Sequence, residues 1–327
     1  MTRRTIAAIG GVIALGTALT ACSAGGDDAD AAVSFPDHEI HLVIPYSAGG
    51  GNDTMARLVA SHMEDNLPGK VSIIPENVPG GDSNIGLSQV YNASPDGYTI
   101  GIAALPGNFV NQVLGTANYD LTDVEYIGYE ANSSYMAVAS KASGITSLDD
   151  VLAKGDLLAG VASISSTDGL GMLIAADTLG FTVRPVAHDG CNEATLSAIR
   201  GDVDIVQCPY EGMKSVVQAG EAVPLWIYAE ERDPDLPDVP TIVELGHPEL
   251  LDSISLHRVM FAPPGTPQEI MDILREAFDQ AVNSDEFKSG LETAGIPWNP
   301  DDWEQAQAAA DESLPQIEKF EDVLKGN

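Results

Sequence analysis

Basic residues are scarce in this chain. Its 327 residues hold 15 Lys and Arg against 49 Asp and Glu, a formal net charge of −34. A surface of that sign does not bind nucleic acid through counterion release, nor does it dock on anionic lipid. Cysteine is scarcer still: three residues and no CxxC pair, which excludes a structural zinc site and a disulfide-rich mini-scaffold. Nucleotide and hydrolase signatures are also missing. There is no GxxxxGKS/T, no GxGxxG after the first strand, no GxSxG, no HExxH, and no Cys matched to a His and an Asn at protease spacing. His38 and His41 lie three apart on an expected strand and so face opposite ways, which argues against a metal pair. No metal and no cofactor is expected.

What is present suits a packed α/β chain. The sequence is 44% hydrophobic, with 32 Gly and 20 Pro, and its length fits two lobes or one large α/β domain. Arg3 and Arg4 precede an apolar run over 5–21 that Gly10, Gly11 and Gly16 interrupt. A membrane-spanning helix wants roughly 20 strongly apolar residues, so 1–21 reads as a secretory signal. Leu19-Thr20-Ala21-Cys22 resembles the lipobox of bacterial lipoproteins, which implies a lipid on Cys22. Residues 22–34 are small and acidic and read as a flexible tether. Losing Arg3 and Arg4 takes the net charge from −34 to −36, an acidity compatible with high salt. The mature chain is thus expected outside the cytoplasm, anchored to the membrane.

Beyond the tether, strand and helix patterns alternate. Strands are expected at 40–45, 71–75, 99–104, 158–163, 182–187, 205–208 and 223–229. Helices are expected at 53–66, 85–91, 170–179, 194–200 and 213–219. Such alternation implies parallel sheets covered on both faces. The tail is helical over 267–283, 286–294 and 302–325, and Pro315 should bend or interrupt the last of these.

Two segments share a plan. Residues 42–53 read strand, glycine loop, helix start, with Gly49, Gly50 and Gly51 allowing close backbone approach and Asn52 and Asp53 able to cap the helix. Residues 158–171 follow the same order about 115 positions later, with Ser163, Ser165, Ser166, Thr167 and Asp168 in the loop. A small-residue turn feeding a helix N-terminus presents unpaired amides at the positive end of the dipole, an anion site without a cation. A bare strand-to-helix turn with no ligand is the competing reading. The pair Cys191 and Cys208, in an exported chain, favours a disulfide over two buried thiols. Closing that loop would contribute about 3 kcal/mol in the chain-entropy account.

Several ordered motifs carry a family resemblance. They are Val43-Ile44-Pro45-Tyr46-Ser47-Ala48-Gly49-Gly50-Gly51-Asn52-Asp53, Glu76-Asn77-Val78-Pro79-Gly80-Gly81, Asn84-Ile85-Gly86, Ser94-Pro95-Asp96-Gly97-Tyr98-Thr99, Leu236-Pro237-Asp238-Val239-Pro240-Thr241 and Ala262-Pro263-Pro264-Gly265-Thr266-Pro267. From His38 to about Glu312 the chain resembles the extracytoplasmic, Bug-type solute receptors of tripartite tricarboxylate transporters. The resemblance implies an α/β, two-lobed periplasmic-binding-protein-like (Venus flytrap) architecture, with mixed sheets flanked by helices and an interlobe cleft. Lobe 1 would be 35–139 plus 258–327, and lobe 2 would be 140–257. It also implies that one loop per lobe grips a ligand carboxylate through amides, hydroxyls and water. By position the first lobe offers Tyr46, Ser47, Ala48, Gly49, Gly50, Asp53 and Asn84, and the second offers Ser163, Ser165, Ser166, Thr167 and Asp168.

Departures from the family pattern sit in the second half. Ala187-His188-Asp189-Gly190-Cys191 stands where the family has Pro-Tyr-Lys-Gly-Gly, Cys208 stands at an acidic position, and His257 at an aromatic one, followed by Arg258. His188 and Arg258 are candidates for direct carboxylate contact; Arg258 reads equally as a surface arginine among many carboxylates. The implied protein is no enzyme but a monomeric, lipid-anchored receptor that hands a small organic carboxylate (di-, tri- or aromatic) to membrane permease subunits. An exported hydrolase using Asp53, His188 or Asp168, or a ligand sensor on the same fold, are the alternatives.

Overall fold

The computed structural model describes residues 34–294, 296 and 298–325. The expected signal at 1–21, Cys22 and all but the last residue of the expected tether lie outside them. Short apolar runs ended by Gly, Pro or polar residues give nine strands: β1 (Ile40–Ile44), β2 (Ile73–Asn77), β3 (Thr99–Leu105), β4 (Glu125–Ala139), β5 (Asp156–Val161), β6 (Thr182–Ala187), β7 (Ile205–Pro209), β8 (Val223–Ile227) and β9 (Ser255–Ala262). Twelve helices cover them: α1 (Gly51–Asn66), α2 (Asn84–Tyr91), α3 (Val110–Val113), α4 (Leu148–Lys154), α5 (Thr167–Leu179), α6 (Cys191–Arg200), α7 (Tyr210–Gln218), α8 (Leu250–Ser253), α9 (Gln268–Val282), α10 (Asp285–Ala294), α11 (Trp303–Glu318) and α12 (Glu321–Leu324).

The strands run in the order β2-β1-β3-β9-β4-β7-β5-β6, with β8 also on β4. Strands joined through helices pair in parallel, as β1 does with β2 and β3, and β5 with β6 and β7. The expectation of wholly parallel sheets fails at β4 and β9. Both run antiparallel to every neighbour, so the sheet is mixed. The long strand β4 serves two sets of partners: residues from Glu125 to Ser134 pair with β9, and those from Tyr135 onward pair with β7 and β8. Register shifts near Gly128 and Glu130 bend it. Gly128 is required there, because a Cβ would meet the Phe278 ring at 2.1 Å.

The apolar faces account for the layers. Met55, Val59 and Met63 of α1 and Met271, Leu274 and Phe278 of α9 pack on Ile40, Leu42 and Ile102. Met136, Val138, Val206, Met213 and Ile227 form a second cluster around the other end of β4. A third, holding Phe109, Tyr126, Tyr135, Leu170, Trp226 and Phe261, spans both groups of strands. α11 passes through Pro315 instead of stopping there, its buried Ala306, Ala309, Ala310 and Ile317 keeping it seated. The chain breaks four residues later, where Lys319 N–H reaches back only three residues, to Gln316 O. No helix among the described residues is long and apolar enough to cross a membrane.

Candidate functional site

The first loop leaves β1 and enters α1 through Gly49 (φ 83°) and Gly50, which precedes the helix without a side-chain cap. Asp53 was expected to cap that helix and meet ligand. Instead it is buried and turns back: Oδ2 accepts the Gly49 N–H at 2.8 Å, while Oδ1 accepts Arg57 Nε at 2.8 Å and Asn77 Nδ2 at 2.8 Å. Burial pushes the Asp53 carboxyl up, but these three donors outweigh it and hold it below the usual carboxylate range. Asn77 Nδ2 also donates to Tyr46 O at 3.0 Å, so Asp53 and Asn77 brace the loop from behind.

The second loop uses a parallel device. Ser166 caps α5, its hydroxyl accepting Gly169 N–H at 3.2 Å and Ser163 N–H at 3.1 Å while donating to Ser163 O at 2.6 Å. Asp168, the second residue of α5, takes the Ala162 N–H on Oδ2 at 2.7 Å. Burial dominates at Asp168 and raises its pKa. Both loops are thus held by a carboxylate that spends itself on its own backbone. The first-turn amides of Gly51 and Asn52, and of Thr167 and Asp168, have no carbonyl a turn earlier in their helices to receive them.

Both loops line one cavity of about 770 Å³. Tyr46, Ser47, Ala48, Gly49, Gly50, Ser163, Ser165, Ser166, Thr167, Asp168, His188 and Arg258 all border it, as do Gly51 and Asn52. Asp53 and Asn84 do not. Asn84 is held elsewhere: its Nδ2 donates to Thr116 O at 3.0 Å and its Oδ1 accepts the Asn118 N–H. The segment just before it, Pro79 to Ser83, borders the cavity instead. The Thr167 hydroxyl is buried and has no hydrogen-bond partner.

Arg258 is not on the surface. It is 2% exposed, borders the cavity, and reaches Asn52 Oδ1 (3.0 Å), Ser133 Oγ (2.7 Å) and Glu211 Oε1 (3.1 Å). Those bonds tie β9 to the starts of α1 and α7 and to β4. They use three of the five guanidinium N–H donors. His188 Nδ1 is at 2.7 Å from Val186 O. Asp189 accepts the Ser47 hydroxyl at 2.6 Å, joining the two loop regions across the cavity. Cys191 and Cys208 are bonded, with S–S 2.06 Å and Cα atoms 5.9 Å apart, and Cys191 borders the cavity.

Sequence reasoning missed a supporting network. Asn108 Oδ1 accepts the Tyr46 hydroxyl at 2.8 Å and Ala104 N–H at 2.7 Å, and Asn108 O accepts the Tyr119 hydroxyl. Tyr135 and Asn108 border the cavity too. No local motif marks these partners, since Tyr46 and Asn108 lie 62 residues apart. Glu130, deep in β4, has both carboxylate oxygens buried without partners, and its pKa is pushed up to about 8 by burial, partly offset by Arg258. Among the described residues no cluster of three or more His, Cys, Asp or Glu could hold a metal.

Comparison with known proteins places this arrangement. A UPF0065 protein of Bordetella pertussis is 28% identical over 274 residues, covering 82% of this chain and 84% of the relative. The periplasmic binding protein BugD superposes with a TM-score of 0.78 at 23% identity, over 88% of this chain and 98% of that one. MatC from Rhodopseudomonas palustris, with bound malate, gives 0.76 at 26% identity, over 89% and 100%. R. palustris Rpa4515, with adipate, gives 0.77 at 25% identity, over 89% and 98%. The fold is therefore the α/β periplasmic-binding-protein type, BugD being itself a periplasmic binding protein. The family model described as tripartite tricarboxylate transporter family receptor matches residues 55–321, and the chain belongs to that family of extracytoplasmic solute receptors.

Proposed function

We propose that the cavity holds one small organic carboxylate, gripped by the first-turn amides of α1 and α5, the Thr167 hydroxyl and the remaining donors of Arg258. The observation that carries this reading is the convergence of two helix starts, an unpartnered buried hydroxyl and a buried guanidinium on one cavity. Local donors must act against a distant field, because the chain carries −34 overall. Short-range hydrogen bonds in a cleft outweigh screened remote charge. The malate and adipate held by two structural neighbours are ligands of this chemical kind.

On this reading residues 35–139 with 258–327 form one lobe and 140–257 the other, hinged along β4 and β9, the two strands that cross between them. Closure is a hinge motion that buries the ligand. The mature chain, monomeric and lipidated at Cys22, delivers its ligand to membrane permease subunits. Calorimetric titration with malate, adipate, citrate and benzoate tests the binding claim: at least one should bind saturably, and no heat from any of them would contradict it. Cys22→Ser tests the anchor, and should move the protein from the membrane to the soluble fraction; continued membrane association would refute lipidation at that residue.

A further inference from the structure

Beyond one backbone bond, from His188 N–H to Val161 O at 2.9 Å, little non-covalent contact holds the arm that brings His188 and Asp189 to the cavity. β6, which delivers it, is the last strand of the sheet, pairs only with β5, and has no buried residue among its six. α6 begins at Cys191 from Gly190 (φ 94°) with no side-chain cap. The Ser47–Asp189 hydrogen bond lies in an exposed setting. Against this stands one covalent link. Cys191, at the cavity wall, is bonded to Cys208, which is 1% exposed on β7 and paired with Met136 of β4. The bridge therefore ties an edge-strand arm to a strand in the middle of the sheet, beside the strand β4 that pairs with both halves.

We propose that the Cys191–Cys208 disulfide is a positioning element of the binding site: it holds residues 187–191 against β7, so that His188 and Asp189 stay at the cavity wall. The inference rests on the proposed carboxylate site for its consequence in affinity, but not for its mechanics. The body of α6 does not depend on the bridge, because Ala194, Thr195, Ser197 and Ala198 are buried, and Ala194 and Ala198 pack with Val206 and Val203. Removing the link loosens the first turn and the preceding loop and leaves the helix docked. An arm that must be ordered at the moment of binding weakens affinity by its ordering cost.

The test compares the wild type with Cys191→Ala/Cys208→Ala, using malate and adipate as probes. Hydrogen–deuterium exchange should be about tenfold faster at residues 187–193 in the variant and unchanged in α5, with thermal unfolding still a single transition. Affinity for whichever probe the wild type binds should fall about tenfold. In a chain already carrying His188→Ala and Asp189→Ala, deleting the bridge should change affinity by less than about twofold, since nothing remains for it to position. Unchanged exchange at 187–193 overturns the proposal, whatever the ligand. An equal affinity loss with and without the two arm side chains also overturns it, by showing a general structural role. A wild type that binds neither probe, nor any other carboxylate, counts against the functional reading alone, and the exchange pattern then decides the arm.

Discussion

The guanidinium of Arg258 joins four elements at the cavity wall and commits three of its five N–H donors to them. Its loss leaves the Glu211 carboxylate without its cation, with the Ser133 hydroxyl as its donor at 2.9 Å. Breaking a buried charge pair typically costs 3–5 kcal/mol. The Glu211 side chain keeps only 11% exposure, so Arg258→Ala is expected to destabilise by about 3 kcal/mol in urea unfolding and to weaken carboxylate binding at least tenfold. Arg258→Lys should restore part of the stability but little of the affinity, as one ammonium cannot reproduce three divergent contacts and still reach a ligand. Glu130 gives a pH signature. Burial pushes its carboxyl from the usual 4.5 up to about 8, so between those pH values the folded chain holds a proton the unfolded chain has lost. Stability contributed by the neutral form is complete below about pH 4.5 and falls as pH rises, by up to about 1.4 kcal/mol per unit, levelling off above about 8. Glu130→Gln should remove that decline, and identical pH profiles for the two proteins would refute it. Arg258 and His188 were legible as departures from a pattern. Asp53 and Asn84 were misplaced because a motif gives nearness in sequence but not the direction in which a short side chain turns.

Two elements meet beside the cavity, at Asn108 and Thr167 of its wall. The turn at Gly107–Phe109, after β3, lies against the start of α5, and a Cβ on Gly107 would stand 2.4 Å from Thr167 N and 2.6 Å from its Oγ1. Backbone there cannot yield as a flexible side chain would, so Gly107→Ala should push α5 away from β3. The expected result is at least a tenfold affinity loss together with a stability loss of about 1–3 kcal/mol; unaltered calorimetric affinity would contradict it. Most elements were readable from apolar spacing, β6 to the residue. β4 and β9 were not. Gly128 and the polar run Asn132-Ser133-Ser134 break the alternation of β4, since its middle passes from one set of partners to another. β9 carries Ser255, His257 and Arg258 among its apolar residues; Ser255 and His257 bond each other, while His257 and Arg258 also reach Tyr129 and Ser133, more than a hundred residues away in sequence. Long-range pairing of this kind leaves no periodic trace.

At the scale of the whole molecule, 49 acidic residues oppose an anionic ligand. Recognition through fixed short-range donors then has an unusual salt dependence. Raising ionic strength from about 0.1 to 1 M shortens the screening length from about 10 to 3 Å, which relieves repulsion while leaving contact hydrogen bonds largely intact. Carboxylate affinity should hold or rise a few-fold, and unfolding temperature should rise; a tenfold fall in affinity would mean long-range attraction by cations governs binding. The alternating plan of the chain and its two strand–loop–helix segments were visible in the sequence because glycine, serine and apolar spacing report local geometry. That these segments border one cavity is a product of topology, and only the fold displays it. The most direct test follows the backbone amides themselves. In a deuterated, ¹⁵N-labelled protein saturated with its carboxylate ligand, the resonances of Gly51 and Asn52 and those of Thr167 and Asp168 should all move downfield together, as both helix starts donate to one anion. Movement confined to one pair, or to neither, would contradict the account.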